Sequence, residues 1–226
     1  MGKTVLHRDD PKKEPLVGNV KVTRQDWLNV AMDVLVSDGV ERVKVLDLGQ
    51  RLGVSRSSFY WYFKSRQELL DALLKHWQDT NTAAVVAKAN EPSETITEAV
   101  CHFFHCVIDE RLFNNALDFA VRDWARRSGK VRRMLDRSDA TRIGALAEMF
   151  ERHDYPREEA RIRARVLYFM QLGYDLSELN ETLSDRLDQV PMYLFCFTGR
   201  APRSDEIAAF RSYALAESAL PEAESG

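Results

Sequence analysis

The chain has 226 residues, 45% hydrophobic and 30% charged, with a formal net charge of −3 at pH 7; this supplies a core, which excludes a disordered or fibrous chain, and argues against a protein coated in positive charge. No apolar run approaches a membrane span and the opening MGKTVLHRDDPKKEPLVG lacks the apolar stretch of a signal peptide, so the chain is expected to be cytoplasmic with no membrane partner. Three cysteines, an odd number, fit that compartment better than a disulfide framework.

The charge is divided unevenly. Through Trp77 there are 13 Lys/Arg against 10 Asp/Glu, and beyond it 19 against 25, so the front is basic and the back acidic. Residues 1–20 carry Pro11, Pro15 and Gly18 without periodicity and read as a flexible N-terminal arm. Thr23 with Asp26 three residues on forms a capping box, and Trp27, Val30, Ala31, Val34 and Leu35 recur at helical spacing until Asp38-Gly39. Val45, Leu48 and Leu52 mark a short second helix ending at Gly53. Ser55 is placed to cap a third over Arg56 to Phe63, and Ser65 with Glu68 caps a fourth containing LLDALLKHW.

Two short helices separated by Gly-Val-Ser form a helix-turn-helix pattern. In GVSRSSFYWYF, Phe59 and Phe63 lie four apart and serve as anchors, which leaves Tyr60, Trp61 and Tyr62 pointing elsewhere. Double-stranded DNA would cover them: phenolic hydroxyls can donate to phosphates, while Arg56, Ser57 and Ser58 at the helix start project towards base edges.

The segment from Thr23 to Trp77, and above all VLDLGQRLGVSRSSFYWYFKSRQELLDALL, resembles the DNA-binding domain of the tetracycline-repressor (TetR) family of transcriptional regulators. The resemblance implies that Tyr60 and Tyr62 hold phosphates, that Arg66 does the same from the start of the fourth helix, and that Arg56, Ser57 and Trp61 reach bases. Lys44 stands where many relatives have a capping threonine, and Tyr62 where a histidine is frequent; both keep the chemistry of a phosphate donor. Duller readings stay open beside these, with Arg56 and Lys44 as solvated charges and Trp61 packed on a neighbour.

Past Trp77 the resemblance is one of architecture. Helices are expected at roughly 94–110, 115–127, 130–153, 157–179 and 183–198, with Pro191 bending or interrupting the last, and EIAAFRSYALAE adds an amphipathic piece to which no function is assigned. The stretch CHFFHC, Cys101 to Cys106, pairs Cys101 with His105 and His102 with Cys106 at four-residue spacing. The two pairs point about 100° apart on a helix, so core and pocket lining is preferred over a metal site. Arg161, Arg163 and Arg165 alternate and read as solvated surface, while Val166, Phe169, Met170 and Gly173 form an apolar stripe suited to a subunit interface.

No Gly-rich phosphate loop, HExxH or GxSxG elbow is present, and no enzyme activity or cofactor is expected. The fold expected is all-α: an arm (1–20), a three-helix helix-turn-helix DNA-binding domain (21–79), a helical ligand-binding and dimerisation domain (80–200) and a C-terminal extension (201–226). The function expected is a ligand-responsive repressor that binds a palindromic operator as a homodimer and is released by a small-molecule effector; the alternative is a metal or redox sensor using Cys101 to Cys106. The DNA-contacting set is Lys44, Ser55, Arg56, Ser57, Ser58, Tyr60, Trp61, Tyr62 and Arg66. The ligand set is His102, Phe103, His105, Phe113, Trp124, Met149, Phe169 and Tyr174, chosen as large or hydrogen-bonding groups on helices surrounding one centre.

Overall fold

The computed structural model describes residues 22–177 and 179–219, so the arm expected over 1–20 lies outside the described residues. Eleven α-helices are described and no strand. The first, α1 (Arg24–Asp38), begins at the Thr23 capping box, where the Asp26 amide donates to the Thr23 hydroxyl (3.2 Å) and the Thr23 amide to the Asp26 carboxylate (2.6 Å). A single 3-10 turn follows, then α2 (Val45–Arg51) and α3 (Arg56–Phe59). Lys44 occupies the cap position of α2 without a side-chain bond, the loss its identity suggests. Between α2 and α3, Gly53 sits at φ +66°, where a side chain would be strained, and a Cβ at Gly49 would stand 3.1 Å from the Val54 carbonyl.

Two local expectations are corrected. The third helix was expected to reach Phe63 but has four α-helical residues. The amides of Tyr60, Trp61 and Tyr62 donate to carbonyls three residues back, so the chain tightens into 3-10-like turns. Ser55 stands at the cap, but its hydroxyl bonds the Ser57 hydroxyl at 2.7 Å and no helix amide.

From the Ser65 cap, α4 (Arg66–Trp77) runs through a π-helical turn (Gln78–Thr82) into α5 (Ala83–Ala89) with helical backbone at every junction, a single rod. The boundary read at 79/80 falls inside that turn. The remaining helices are α6 (Ile96–Ile108), α7 (Asn115–Ala125), α8 (Gly129–Arg152), α9 (Arg157–Leu176), α10 (Leu183–Thr198) and α11 (Ser204–Ser218). They follow the expected ranges to within three residues, except that Pro191 does not interrupt α10. The last helix docks on α6: the buried Glu206 carboxylate accepts the hydroxyls of Thr95 and Thr97 (2.5 and 2.6 Å).

Two apolar cores form. One joins Trp27, Leu35, Phe59, Phe63, Leu73 and Trp77 to Leu117, Val121 and Trp124 of α7 and to Val131 and Leu135 of α8. The other joins α5, α6, the later part of α8 and α9 to α11. The helix-turn-helix thus shares its core with helices of the second domain.

Where the cores meet, the polar groups converge on Arg142, which is fully buried. Its Nη1 donates to Asp118 (2.9 Å) and to the Tyr168 hydroxyl (3.1 Å), its Nε donates to Thr82 in the π turn (3.1 Å), and its guanidinium lies 5.0 Å from the Trp77 ring centroid. Asp118 also accepts from Trp77 Nε1 and Arg122 Nε, both at 2.7 Å. Burial alone would raise the Asp118 pKa, but the Arg142 and Arg122 guanidiniums hold it below the usual carboxylate range. Removing one partner from a buried pair strands the other. Asp118→Ala is expected to destabilise the fold by roughly 3 to 5 kcal/mol, and Arg142→Met, which leaves Asp118 paired to Arg122, by less. Urea unfolding checks the order.

Candidate nucleic-acid interface and internal cavity

The start of α3 presents Ser55, Arg56, Ser57, Tyr60 and Trp61 exposed, with Ser58 half-buried and Phe59 fully buried behind them. The α3 register explains this division: Phe59 and Phe63 stack at 5.4 Å and key the turn into the first core, and Phe59 meets Trp27 edge-on at 5.2 Å. Arg56 Nη2 donates to the Tyr60 hydroxyl at 3.0 Å, which pre-orients both polar tips. Trp61 is 85% exposed, so the reading in which it packs on a neighbour is set aside. Lys44 is exposed at the N-terminus of α2. This face offers cations, hydroxyls and one bare indole, a chemistry suited to phosphates and base edges.

Tyr62 and Arg66 sit differently from the rest of the set. The half-buried Tyr62 donates its only O–H to the Val22 carbonyl at 2.6 Å. Arg66 donates through Nε to the Val43 carbonyl and through Nη2 to the Val40 carbonyl, each at 2.5 Å, closing the 3-10 turn between α1 and α2. Both side chains therefore tie the domain together. Sequence reasoning missed this because the acceptors are backbone carbonyls brought in from about 20 to 40 residues away. Arg66→Ala is expected to lower stability by roughly 1 to 3 kcal/mol by leaving the Val43 carbonyl unmet and the Val40 carbonyl with only its turn bond from the Val43 amide, a loss visible as a lower melting temperature without any DNA present.

In α6, Cys101 and Cys106 are buried and burial pushes both thiols up to about 12. They remain protonated, which suits neither a metal ligand nor a redox nucleophile. His105 is pushed down to about 4, chiefly by burial, and packs between Phe210 (centroids 5.3 Å) and Tyr213 (3.9 Å). Among the described residues no group of three His, Cys, Asp or Glu side chains is placed to hold a metal ion. The metal or redox alternative has no support in this geometry.

A cavity of about 290 Å³ lies among α6, α9, α10 and α11, bounded also by the start of α7. Its walls include Phe104, Val107, Met170, Tyr193 and Phe210, with Asn115, Tyr174, Asp175 and Arg186 as polar members. Of the eight ligand residues expected from the sequence, Tyr174 lines it. Phe103, Phe113 and Met149 are buried in the second core, Trp124 belongs to the first, and Phe169 is 45% exposed on α9. His102 and His105 are half-buried outside the lining. The face that α6 turns to the cavity is Phe104, Val107 and Ile108, one helical step from the face carrying the histidines. Phe210 and Ala214, from the segment that had no assignment, complete the wall, and their four-residue spacing was the available signal.

Tyr174 donates to Glu181 at 2.6 Å, and Asp175 accepts from Gln171 at 2.8 Å. Burial pushes Asp175 up to about 6. No helix among the described residues is long and apolar enough to cross a membrane.

The architecture is of the helix-turn-helix class, with that domain carried on a larger helical domain that holds a cavity. Residues 28–73 match the family model described as bacterial regulatory proteins, tetR family. It is 27% identical over 151 residues to the nucleoid occlusion factor SlmA of Haemophilus influenzae (strain PittGG), a match covering 66% of this chain and 56% of that protein. The chain thus spans little more than half the length of these curated relatives. Over 53 residues, 24% of each chain, it is 38% identical to the tetracycline repressor protein class C of Escherichia coli. Among solved structures, Mycobacterium smegmatis AmtR matches with TM-score 0.59 at 15% identity, covering 88% of this chain and 97% of that one. The ketosteroid transcriptional regulator KstR2 of Mycobacterium tuberculosis matches with TM-score 0.56 at 17% identity, covering 83% and 98%. At those identities the likeness is one of fold.

Proposed function

We propose that the chain is a repressor that binds a palindromic double-stranded operator as a homodimer and is released when a small molecule occupies the cavity. The observation that carries this reading is the rod from residue 66 to 89, whose first half packs in the reader's core and whose second half packs in the core that holds the cavity. A change in that rod's setting moves the exposed edge of α3. The cavity reaches the rod along two helices. On α9, Asp175, Gln171 and Tyr168 succeed one another at helical spacing, and on α7, Asn115 precedes Asp118 by three residues. Tyr168 and Asp118 both bond Arg142, which holds the π turn through Thr82. An effector that prefers one arrangement tenfold shifts DNA affinity by about 1.4 kcal/mol per site.

In this reading Arg56, Ser57 and Trp61 reach base edges while Lys44 and Tyr60 hold phosphates, with Ser55 and Ser58 framing the turn. Arg56→Ala is expected to cost roughly 1 to 3 kcal/mol on the preferred operator and little on unrelated DNA, whereas Lys44→Ala weakens all sequences alike. Fluorescence anisotropy on cognate and scrambled duplexes separates the two, and unchanged affinity in both variants would overturn α3 as the reader.

Dimerisation is supported by the apolar side chains left exposed on two neighbouring helices, Ile162, Val166, Phe169 and Leu176 of α9 with Met192 and Phe195 of α10. Gly173 lies on the same helix with nothing within 4 Å of where a Cβ would be, which leaves room for close approach. Two helices per subunit can bury a standard interface of about 1,600 Å². Val166→Glu combined with Phe195→Glu is expected to convert the full chain from dimer to monomer at micromolar concentration in sedimentation analysis, with little change in helix content.

A further inference from the structure

Asp175 is a carboxylate in a cavity whose walls are mostly hydrocarbon and aromatic rings, with Glu110, Asn115, Gln171 and Arg186 as the other polar side chains besides the tyrosines. Its Oδ1 accepts one bond from Gln171, and among the described residues it has no ion-pair partner. A half-buried carboxylate with one neutral donor and only the Arg186 charge near it is weakly compensated, and burial pushes its titration up. The one guanidinium in the lining, Arg186, is exposed and leans over the Tyr174 ring, 5.9 Å from its centroid. A second carboxylate, Glu110, is exposed on the wall. Phe104, Tyr174, Tyr193 and Phe210 line the same cavity, and aromatic faces attract cations.

We infer that the cavity selects lipophilic amines: a protonated nitrogen on Asp175, with an apolar body against the aromatic wall. The inference deepens the ligand-responsive reading and rests on it only for the claim that the cavity receives an effector. A charge-assisted bond to Asp175 supplies a direct ion-pair partner, where a neutral hydroxyl supplies a hydrogen bond alone and a carboxylate supplies repulsion. The volume, about 290 Å³, is at the small end for ligand sites and suits a compact aryl-alkyl body.

The test uses three probes of one shape, phenylbutylamine, phenylbutanol and phenylbutyrate, titrated calorimetrically into the full chain without DNA. The expected order is amine, alcohol, acid, with the amine ahead of the alcohol by about tenfold, which is about 1.4 kcal/mol. Asp175→Asn is expected to erase the amine's lead while leaving the alcohol within about twofold, and Asp175→Glu to keep part of it. An acid that binds more tightly than the amine, an amine lead that survives Asp175→Asn, or no binding of any probe at millimolar concentration overturns the inference. The order of the probes on the unaltered chain stands whether or not the variants fold. Adding the amine to a preformed operator complex separates the two claims: binding without release of DNA overturns the repressor mechanism and leaves the amine selectivity intact.

Discussion

A guanidinium with no exposed surface, held between two apolar cores, is the constraint on which the architecture turns. Arg142 can be buried only because Asp118 is buried with it, and Asp118 only because Trp77 and Arg122 complete its shell. One Arg142 nitrogen, Nη2, still has no protein partner, so the arrangement is not saturated. Such a pair adds little net stability over a well-packed apolar replacement, but it penalises any rearrangement that separates its members. It therefore fixes how α4, α7, α8 and α9 sit against one another. A polar junction between two greasy cores defines registration where apolar packing alone would tolerate sliding.

The sharing of the first core has a similar effect. Trp124 and Val121 close the floor beneath Trp27 and Leu35, so the reader is seated on α7 as well as hung from the rod. Motion of the cavity domain has two mechanical routes to α3. One follows the rod's long axis and the other presses on its base through α7. Both pass within hydrogen-bond reach of Asp118.

Much of this was legible in the sequence where the physics is local. Thr23 with Asp26 and Ser65 with Glu68 marked helix starts that the structure reproduces, because a cap is decided by residues three apart. Of the rings in GVSRSSFYWYF, Phe59 and Phe63 were expected inside and Tyr60, Trp61 and Tyr62 outside; this held for all but Tyr62, which is half-buried against the first core, since helical spacing sorts faces only while the helix lasts. Contacts over long sequence distances were illegible. The Tyr62 bond to Val22 spans 40 residues, and that of Arg66 to Val40 spans 26; no spacing encodes either. The cavity was misdrawn for a related reason: choosing large or polar residues along each helix cannot say how the helices are rotated. His102 and Phe103 stand beside Phe104 in the chain, and a 100° turn per residue removes them from the wall.

The π turn also governs the angular phase of the rod. Along it, Leu69, Leu73, Trp77, Asn81, Val85 and Ala89 are all buried, each four residues after the last. In a regular α-helix every four-residue step overshoots by roughly 40°, so five steps would carry the stripe about 200° round, from inside to outside. The wider turn at Gln78–Thr82 absorbs about one extra residue and returns roughly 100° of that drift, with the Asn81 amide satisfied by the Asn114 backbone. The rod thus behaves as two shafts joined by a phase-setting collar. If the collar relaxed to ordinary α-helix, the ends would remain helical and connected yet turn against each other, converting a local change of hydrogen-bond register into rotation of the whole reader.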